Sequence, residues 1–263
     1  MPLSNFDDQE PDDEHPALSE APKSQPAFNV PTVILILVAI LTGVHLFREY
    51  ILSAAGDREL LLSFAFFPVR FDSELMARWS DLFPDTLIGS YGTFVTYGLL
   101  HGDWVHLIVN GFWLLVFGSA LARRFGAMRF LLITLLGTIA GAGMHLLTNF
   151  GSSIPVVGAS AAISAHMACA ARFAFVPYGP LGRPRSDHPG SYFLPSLSIF
   201  EMLKNAQAAS FLAIWFAINL LFGLGTGAID GQASIAWEAH IGGFLAGLFL
   251  FPFLDPARNL TAS

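Results

Sequence analysis

The stretch FLLITLLGTIAGAGMHLLTNFGSSIPVVGASAAISAHMACAA, residues 130–171, runs for 42 residues without an Asp, Glu, Lys or Arg. A membrane-spanning helix needs about 20 mostly apolar residues, so this stretch is too long for one helix and long enough for two. Polar and turn-forming residues at 149–155, which read NFGSSIP, divide it. The stretch therefore predicts two membrane helices, at about 130–148 and 157–176.

Four further uncharged gaps lie outside this stretch, and each can hold one spanning helix. They predict helices at about 30–47, 104–122, 206–227 and 235–254. The composition agrees, because 54% of the 263 residues are hydrophobic and only 13% are charged. Soluble domains usually carry about 25% charged residues. We therefore predict an all-α membrane protein with a bundle of six transmembrane helices.

The composition also disfavours several classes of function. The net charge is −7 and no basic stripe is visible, which disfavours binding to nucleic acid. The single cysteine, Cys169, allows no disulfide framework and no thiolate metal cluster. The chain has no HExxH motif, and residues 130–171 contain no carboxylate, so a zinc site is not expected. We predict neither a metal nor another cofactor.

The N-terminal segment, residues 1–29, differs from the rest of the chain. It holds seven acidic residues, five prolines and one lysine. Such a segment cannot bury enough apolar surface to order itself, so we expect a disordered acidic tail. The membrane domain then extends over residues 30–254, and residues 255–263 form a short C-terminus.

The basic residues predict the orientation of the bundle. In a six-helix arrangement, four basic residues fall on one side of the membrane, and most of these lie in one long loop. Eight fall on the other side: Arg123, Arg124, Arg129, Arg172, Arg183, Arg185, Lys204 and Arg258. Because cytoplasmic loops carry an excess of Lys and Arg, both termini are expected in the cytoplasm. The long loop at 48–93 then faces outward, and the loop at 177–205 faces the cytoplasm.

Polar side chains inside the predicted helices are costly and usually mark function or a satisfied helix contact. The first group lies in HGDWVHLIVN at residues 101–110, at the outer end of the second helix. His106 and Asn110 are four residues apart, share one helix face and can donate hydrogen bonds into the bundle. A purely structural helix contact is the alternative. His101 and Asp103 lie near the predicted interface, where simple solvation also explains them.

The second group is VGASAAISA at residues 157–165. Only about 12 residues separate Ser160 from Arg172, which gives ~18 Å of helix against a hydrocarbon core of ~30 Å. The fourth helix is therefore expected to be short and to begin inside the membrane, with Ser160 at its N-terminus. Free N–H groups and the positive end of the helix dipole converge there, which suits a developing oxyanion. The alternative is that Ser160 only caps the helix.

The third group is EAHIGGFLAG at residues 238–247. Gly243 and Gly247 form a GxxxG pattern, which permits very close helix approach. The fourth helix offers a matching stripe of small residues: Ala161, Ser164, Ala165 and Ala168. If the two helices pack there, His240 lies within hydrogen-bonding reach of Ser160. The alternative is that His240 is a satisfied core histidine.

Four more polar residues lie in predicted helices without a partner at a recognisable spacing: His45, His145, His166 and Asn219. A structural role is favoured for them. A small transporter or channel would explain scattered polar residues, but it predicts an inverted internal repeat, and the sequence shows none.

Taken in order along the chain, the three groups resemble the rhomboid family of intramembrane serine proteases. The resemblance rests on HGDWVHLIVNGFWLLVFGSALARRFG at residues 101–126, on GAS at 158–160 and on AHIGGFLAG at 239–247. It covers about residues 100–254, which is essentially the predicted bundle. Three motifs in the right order on the right helices are far more specific than any one of them.

The resemblance implies a serine–histidine dyad. Ser160 would be the nucleophile, and His240 would take its proton and then protonate the leaving amine. The side chains of His106 and Asn110 would stabilise the oxyanion together with the backbone N–H of Ser160. The supporting residues would be His101, associated with water retention or packing, and three glycines: Gly158, Gly243 and Gly247.

The sequence departs from the family pattern at three places. Ala161 stands where the family usually has glycine after the serine, and Ser164 stands where an aromatic residue often packs under the histidine. Arg78 and Trp79 occur in the reverse of the order familiar in the first loop. These departures bear on rate and specificity more than on the reaction.

The resemblance implies an endopeptidase of the plasma membrane that cleaves transmembrane proteins near the outer boundary of the bilayer. Its substrates would carry small or helix-destabilising residues near the cut. The alternative is a rhomboid-like protein that binds transmembrane clients without proteolysis. Such relatives usually lose the serine or the histidine, and this chain keeps both Ser160 and His240.

Overall fold

The structure, a computed structural model, describes residues 30–186, 188–225 and 236–257. In these three segments the regular structure is helical, apart from an isolated antiparallel bridge between Phe66 and Val156. The α-helices are α1 (Thr32–Tyr50), α2 (Ala54–Phe64), α3 (Ser73–Trp79), α4 (Gly89–Thr96), α5 (Trp104–Trp113), α6 (Ser119–Thr148), α7 (Ser160–Ala171), α8 (Ile199–Lys204), α9 (Ala206–Gly225) and α10 (Trp237–Leu254).

Three helical stretches in the described part of the chain are long and apolar enough to cross a membrane: Thr32–Tyr50, Trp104–Thr148 and Trp237–Leu254. Two shorter helices, Ser160–Ala171 and Ala206–Leu221, are also apolar. The described helices thus form an all-α membrane fold, as the sequence predicts. The predicted acidic tail at 1–29 lies outside the described residues.

The stretch Trp104–Thr148 differs from the prediction of two helices separated by a loop at 123–129. A π-helical turn, Leu114–Gly118, joins α5 directly to α6, and α6 continues through the basic residues that were expected to end a helix. The break is confined to Gly126, whose φ of +74° and ψ of 165° are not helical. Glycine adopts this positive φ without steric cost, so one residue replaces the expected loop.

The helix α7 lies at the centre of the fold, against both α6 and α10. All its residues from Ala161 to Ala171 are buried. Its sequence, SAAISAHMACAA, is apolar or small apart from His166, which is typical of a helix enclosed by protein. The small side chains leave room for neighbouring helices to approach its backbone closely.

Glycines on α10 make one of these close approaches. A Cβ added at Gly243 would overlap the carbonyl oxygen of Ala161, and one added at Gly247 would overlap that of Ala165. The thiol of Cys169, one turn further along α7, donates to the carbonyl oxygen of Gly247 at 3.2 Å. The GxxxG pattern of α10 therefore lies directly on the backbone of α7.

A second pair of glycines, on α6, packs against the same two alanines of α7. A Cβ at Gly137 would come within 2.7 Å of the Ala165 Cβ, and one at Gly141 would overlap the Ala161 Cβ. Gly137 and Gly141 have the same GxxxG spacing, and this second contact was not predicted from the sequence. The helix α7 is thus held between two glycine-lined helices.

The two long predicted loops contain regular structure. Residues 48–93 include α2, α3 and the 3₁₀ turns Pro68–Phe71 and Ser80–Leu82. Residues 177–205 include the 3₁₀ turn Pro189–Phe193 and the short helix α8. The helix α8 begins with a capping box, in which the Ser198 hydroxyl accepts from the Glu201 N–H and the Glu201 carboxylate accepts from the Ser198 N–H. Local capping explains this helix, because each partner satisfies a free N–H of the other.

A buried ion pair ties the first half of α6 to the end of α10. The Arg124 guanidinium donates from Nε and Nη2 to the two carboxylate oxygens of Asp255, each at 2.8 Å, and the side chains are 0% and 4% exposed. Nη1 donates to the carbonyl oxygens of Tyr192 and Leu194 at 2.7 and 2.9 Å. One arginine therefore joins three parts of the chain.

We expect Arg124→Leu to lower the free energy of unfolding by about 3–5 kcal/mol, because it leaves the Asp255 carboxylate buried without its partner. Arg124→Leu combined with Asp255→Leu should recover part of this loss, since no charge then remains unpaired. Unfolding in mixed micelles, followed by circular dichroism, measures both. A loss below about 1 kcal/mol for the single variant would contradict a structural role for the pair.

Candidate active site

The turn before α7 is held by two other parts of the chain. Val156 exchanges two backbone hydrogen bonds with Phe66, with N···O distances of 2.8 and 3.1 Å. The Gly158 N–H donates to the carbonyl oxygen of Tyr97 at 3.0 Å. The Tyr97 hydroxyl in turn donates to the carbonyl oxygen of Thr138 on α6 at 2.8 Å. The backbone that leads into α7 is therefore fixed on both sides.

Ser160 is the first residue of α7, and Ala159 is its N-cap residue. The structure thus places Ser160 one position inside the helix and not at the N-cap position of the alternative. The first N–H groups of a helix have no partner within that helix. The N–H of Ser160 is one of these, and it lies at the positive end of the helix dipole.

His240, in the first turn of α10, lies beside Ser160. The distance from His240 Nε2 to Ser160 Oγ is 2.7 Å, which is a hydrogen bond between residues 80 positions apart. The close packing of Gly243 on Ala161 brings α10 near enough for this contact. The structure thus brings together the serine and the histidine on which the family resemblance depends.

Asn219, on α9, contacts the other nitrogen of the same imidazole. Its Oδ1 is hydrogen-bonded to His240 Nδ1. Its Nδ2 donates to the carbonyl oxygen of Trp215, one turn earlier on α9, at 2.8 Å. A structural role was predicted for Asn219, because the sequence shows no partner for it at a recognisable spacing; the partner found in the structure lies 21 positions away. Its position as a polar residue in an apolar helix was the signal available.

His106 lies near the start of α5. Its backbone N–H is capped by the Asp103 carboxylate at 2.8 Å. Its imidazole fills the space where Gly158 would carry a side chain, because a Cβ there would lie 2.7 Å from His106 Nε2. The same Cβ position is 3.6 Å from Ser160 Oγ. Gly158 also has φ of +124°, so both its conformation and the neighbouring imidazole require glycine.

Asn110 lies one turn after His106 on the same face of α5, and it is buried. Its Nδ2 has no hydrogen-bond partner among the described residues. A buried donor without a partner is rare in native proteins and calls for an explanation.

His101 is buried just before α5, and its ring nitrogens have no hydrogen-bond partner among the described residues. The centroid of its ring lies 5.1 Å from that of His106. Its carbonyl oxygen accepts a 2.6 Å hydrogen bond from Arg48, whose guanidinium also pairs with Asp57 at 2.7 Å. The end of α1 thus fixes the backbone at His101.

The remaining membrane histidines lie elsewhere. His45 packs edge-on against Trp104, and His166 Nε2 is 2.9 Å from the Thr134 hydroxyl oxygen. His145 Nδ1 lies 3.7 Å from a carboxylate oxygen of Glu238. In the described segments, no group of three or more His, Cys, Asp or Glu side chains is arranged to hold a metal ion.

The departures at Ala161 and Ser164 have simple consequences. The Ala161 methyl group packs toward Gly141 of α6, whose missing side chain makes room for it. The Ser164 hydroxyl donates to the carbonyl oxygen of Ser160 at 2.8 Å and stays within α7. No aromatic ring contact to His240 is found among the described side chains, where Asn219 is the polar group that holds the imidazole.

Comparison with known proteins gives two matches. The family model of the rhomboid domain matches residues 89–255, well over half of the chain. RHOMBOID-like protein 5 of Arabidopsis thaliana is 28% identical over 151 residues, which cover 57% of this chain and 40% of that protein. The chain therefore matches less than half the length of this relative. The matched region contains the polar residues of the candidate site: His101, His106, Asn110, Ser160, Asn219 and His240.

Proposed function

Because the chain belongs to the rhomboid family, we propose that it is an intramembrane serine endopeptidase that hydrolyses peptide bonds of transmembrane proteins. The observation that carries the proposal is the 2.7 Å hydrogen bond between Ser160 Oγ and His240 Nε2. A nucleophile within hydrogen-bonding reach of an oriented base is the arrangement that acyl transfer requires.

In the first step, His240 Nε2 accepts the proton of Ser160 as Oγ attacks the carbonyl carbon of the scissile bond. The resulting imidazolium donates that proton to the leaving amine, and an acyl-enzyme remains on Oγ. Water then attacks the acyl-enzyme with His240 again as the base. The carboxyl product leaves and the hydroxyl of Ser160 is restored.

We propose that three donors stabilise the oxyanion. The N–H of Ser160 has no partner within α7, and the His106 imidazole lies next to Gly158, two residues before Ser160. Asn110 adds a buried amide whose Nδ2 has no partner in the described part of the chain. Donors that are already in place stabilise developing charge without reorganisation. Each can lower the activation barrier by about 2.7–4 kcal/mol.

We propose six membrane crossings, formed by α1, the two parts of Trp104–Thr148 on either side of Gly126, α7, α9 and α10. The 12 residues of α7 span only ~18 Å, so Ser160 would lie below the membrane surface. The proposed location is the plasma membrane, with both termini in the cytoplasm, and the partners are the bilayer and transmembrane substrates.

The test is covalent labelling of the purified protein by a fluorophosphonate probe, which reacts with activated serines. We expect the wild type to be labelled in detergent and in liposomes, and Ser160→Ala and His240→Ala to be unlabelled. Ser164→Ala is the matched control, because it removes a serine one turn along the same helix and should keep the label.

Labelling that survives Ser160→Ala would place the nucleophile elsewhere and reject the assignment. A folded wild type that is not labelled in either medium would favour the alternative, a rhomboid-like protein that binds transmembrane clients without cleaving them.

A further inference from the structure

We infer that Asn219 is a positioning residue that fixes the tautomer and orientation of His240, an inference that rests on the proposed function. The contact joins the amide Oδ1 of Asn219 to the imidazole Nδ1. Asn219 is 7% exposed and lies on α9, a helix of 20 mostly apolar residues. A buried amide in such a helix is unfavourable unless its polar atoms are bonded.

The hydrogen bonds of Asn219 determine which way its amide points. The carbonyl oxygen of Trp215 can only accept, so the group that faces it at 2.8 Å must be the NH₂ of Asn219. The amide oxygen therefore faces His240. Because that oxygen can only accept, Nδ1 of the imidazole must carry a proton.

This protonation has a direct consequence at Ser160. A neutral imidazole has one N–H, so with Nδ1 protonated its Nε2 presents a lone pair. Nε2 is the nitrogen that faces Ser160 Oγ at 2.7 Å. The contact with Asn219 thus selects the only neutral tautomer that can accept the serine proton, and it holds the ring in the required plane.

An uncharged partner suits this position. The amide oxygen also accepts from the imidazolium that forms when His240 takes the proton, so one contact serves both states of the reaction. A carboxylate there would have to be ionised in a desolvated site, which is costly without a further partner. The amide gives orientation without that cost.

A purely structural role for Asn219 is the competing explanation. The helices α9 and α10 also meet through the rings of Trp215 and Phe244, which stack with their centroids 5.0 Å apart. Asn219 could merely add to this packing. The two explanations differ in what they predict for the imidazole itself, which the experiment must therefore observe.

The experiment compares Asn219→Leu and Asn219→Asp with the wild type. We measure kcat for cleavage of a transmembrane substrate and the ¹⁵N chemical shifts of the His240 ring in [¹⁵N]histidine-labelled protein, assigned by their loss in His240→Gln. Asn205→Ala is the matched control. Asn205 caps α9 by accepting from the Ala208 N–H at 2.9 Å, so its loss weakens the same helix away from His240.

For Asn219→Leu we expect kcat to fall about 10- to 100-fold, as misplacement of a catalytic group does, and the ring to show a mixture of tautomers. Asn219→Asp keeps an acceptor of the same shape, so it should keep the Nδ1–H tautomer. The cost of a carboxylate in this desolvated site should leave its kcat below the wild-type value. Asn205→Ala should leave kcat per folded molecule and the ring shifts unchanged.

An unchanged ring tautomer in Asn219→Leu would overturn the inference, whatever happens to kcat. A tautomer that changes while kcat stays at the wild-type value would also overturn it. If the wild type cleaves no substrate but the His240 tautomer still differs between the wild type and Asn219→Leu, the proposed function fails. The contact between Asn219 and His240 is then still supported.

Discussion

Ser160→Ala, His240→Ala and the double variant should each cleave substrate at least about 10³-fold more slowly than the wild type, with nearly equal losses. The reason is that Oγ and Nε2, 2.7 Å apart, act in one proton transfer. Once either atom is removed, the other can no longer take part in the proton transfer. The losses of two groups that act as a unit are therefore far from additive.

The measurement is kcat/KM for a transmembrane substrate reconstituted in liposomes. His188→Gln is the control for a histidine change, because His188 is exposed and caps a 3₁₀ turn by accepting from the Gly190 N–H at 3.0 Å. It should keep the wild-type rate. A double variant whose loss equals the product of the two single losses would show that Ser160 and His240 act independently, which contradicts the dyad.

The helices that carry the site follow from the distribution of charge in the sequence. Uncharged gaps predicted the apolar helices to within a few residues, apart from the separation expected between α5 and α6, because a charge inside a bilayer is costly. Ser160 and His240 could be paired because small residues on both helices indicated a close approach. Local sequence patterns were therefore enough to predict the helices and the approach of Ser160 to His240.

Contacts that depend on helix rotation could not be predicted in this way. Asn219 meets His240 only because α9 and α10 present particular faces to each other, and no spacing in the chain encodes that. The Arg124–Asp255 pair joins residues 131 positions apart for the same reason. Asn219 and Arg124 are recognisable in the sequence as a polar and a charged residue. Their partners are determined by the tertiary fold.

The break at Gly126 illustrates a different limit. Arg123, Arg124 and Arg129 suggested a loop, since charged residues usually mark helix ends in membrane proteins. In the structure Arg124 is buried by its pair with Asp255, so its charge does not require water. A single glycine with positive φ then suffices for the break.

Gly243→Ala should reduce cleavage at least about 10²-fold, because the added methyl group would overlap the Ala161 carbonyl oxygen and push α10 away from α7. His240 lies three residues before Gly243, within one helical turn, so it moves with the displaced backbone. The Nε2–Oγ distance then exceeds the reach of a hydrogen bond. Gly243→Val, which adds more volume at the same place, should have a larger effect.

The matched control is Gly143→Ala on α6, where an added Cβ meets nothing within 4 Å. This variant should keep the wild-type rate and gain up to about 1 kcal/mol of stability from the better helix propensity of alanine. Cleavage rate and thermal unfolding, measured on both variants in the same liposomes, separate a local displacement from general unfolding. Wild-type cleavage by Gly243→Ala would show that the approach of α10 to α7 does not place His240. A loss of cleavage in both variants would mean that any added methyl group disturbs the bundle. That result would contradict a specific role for the α7–α10 contact in placing His240.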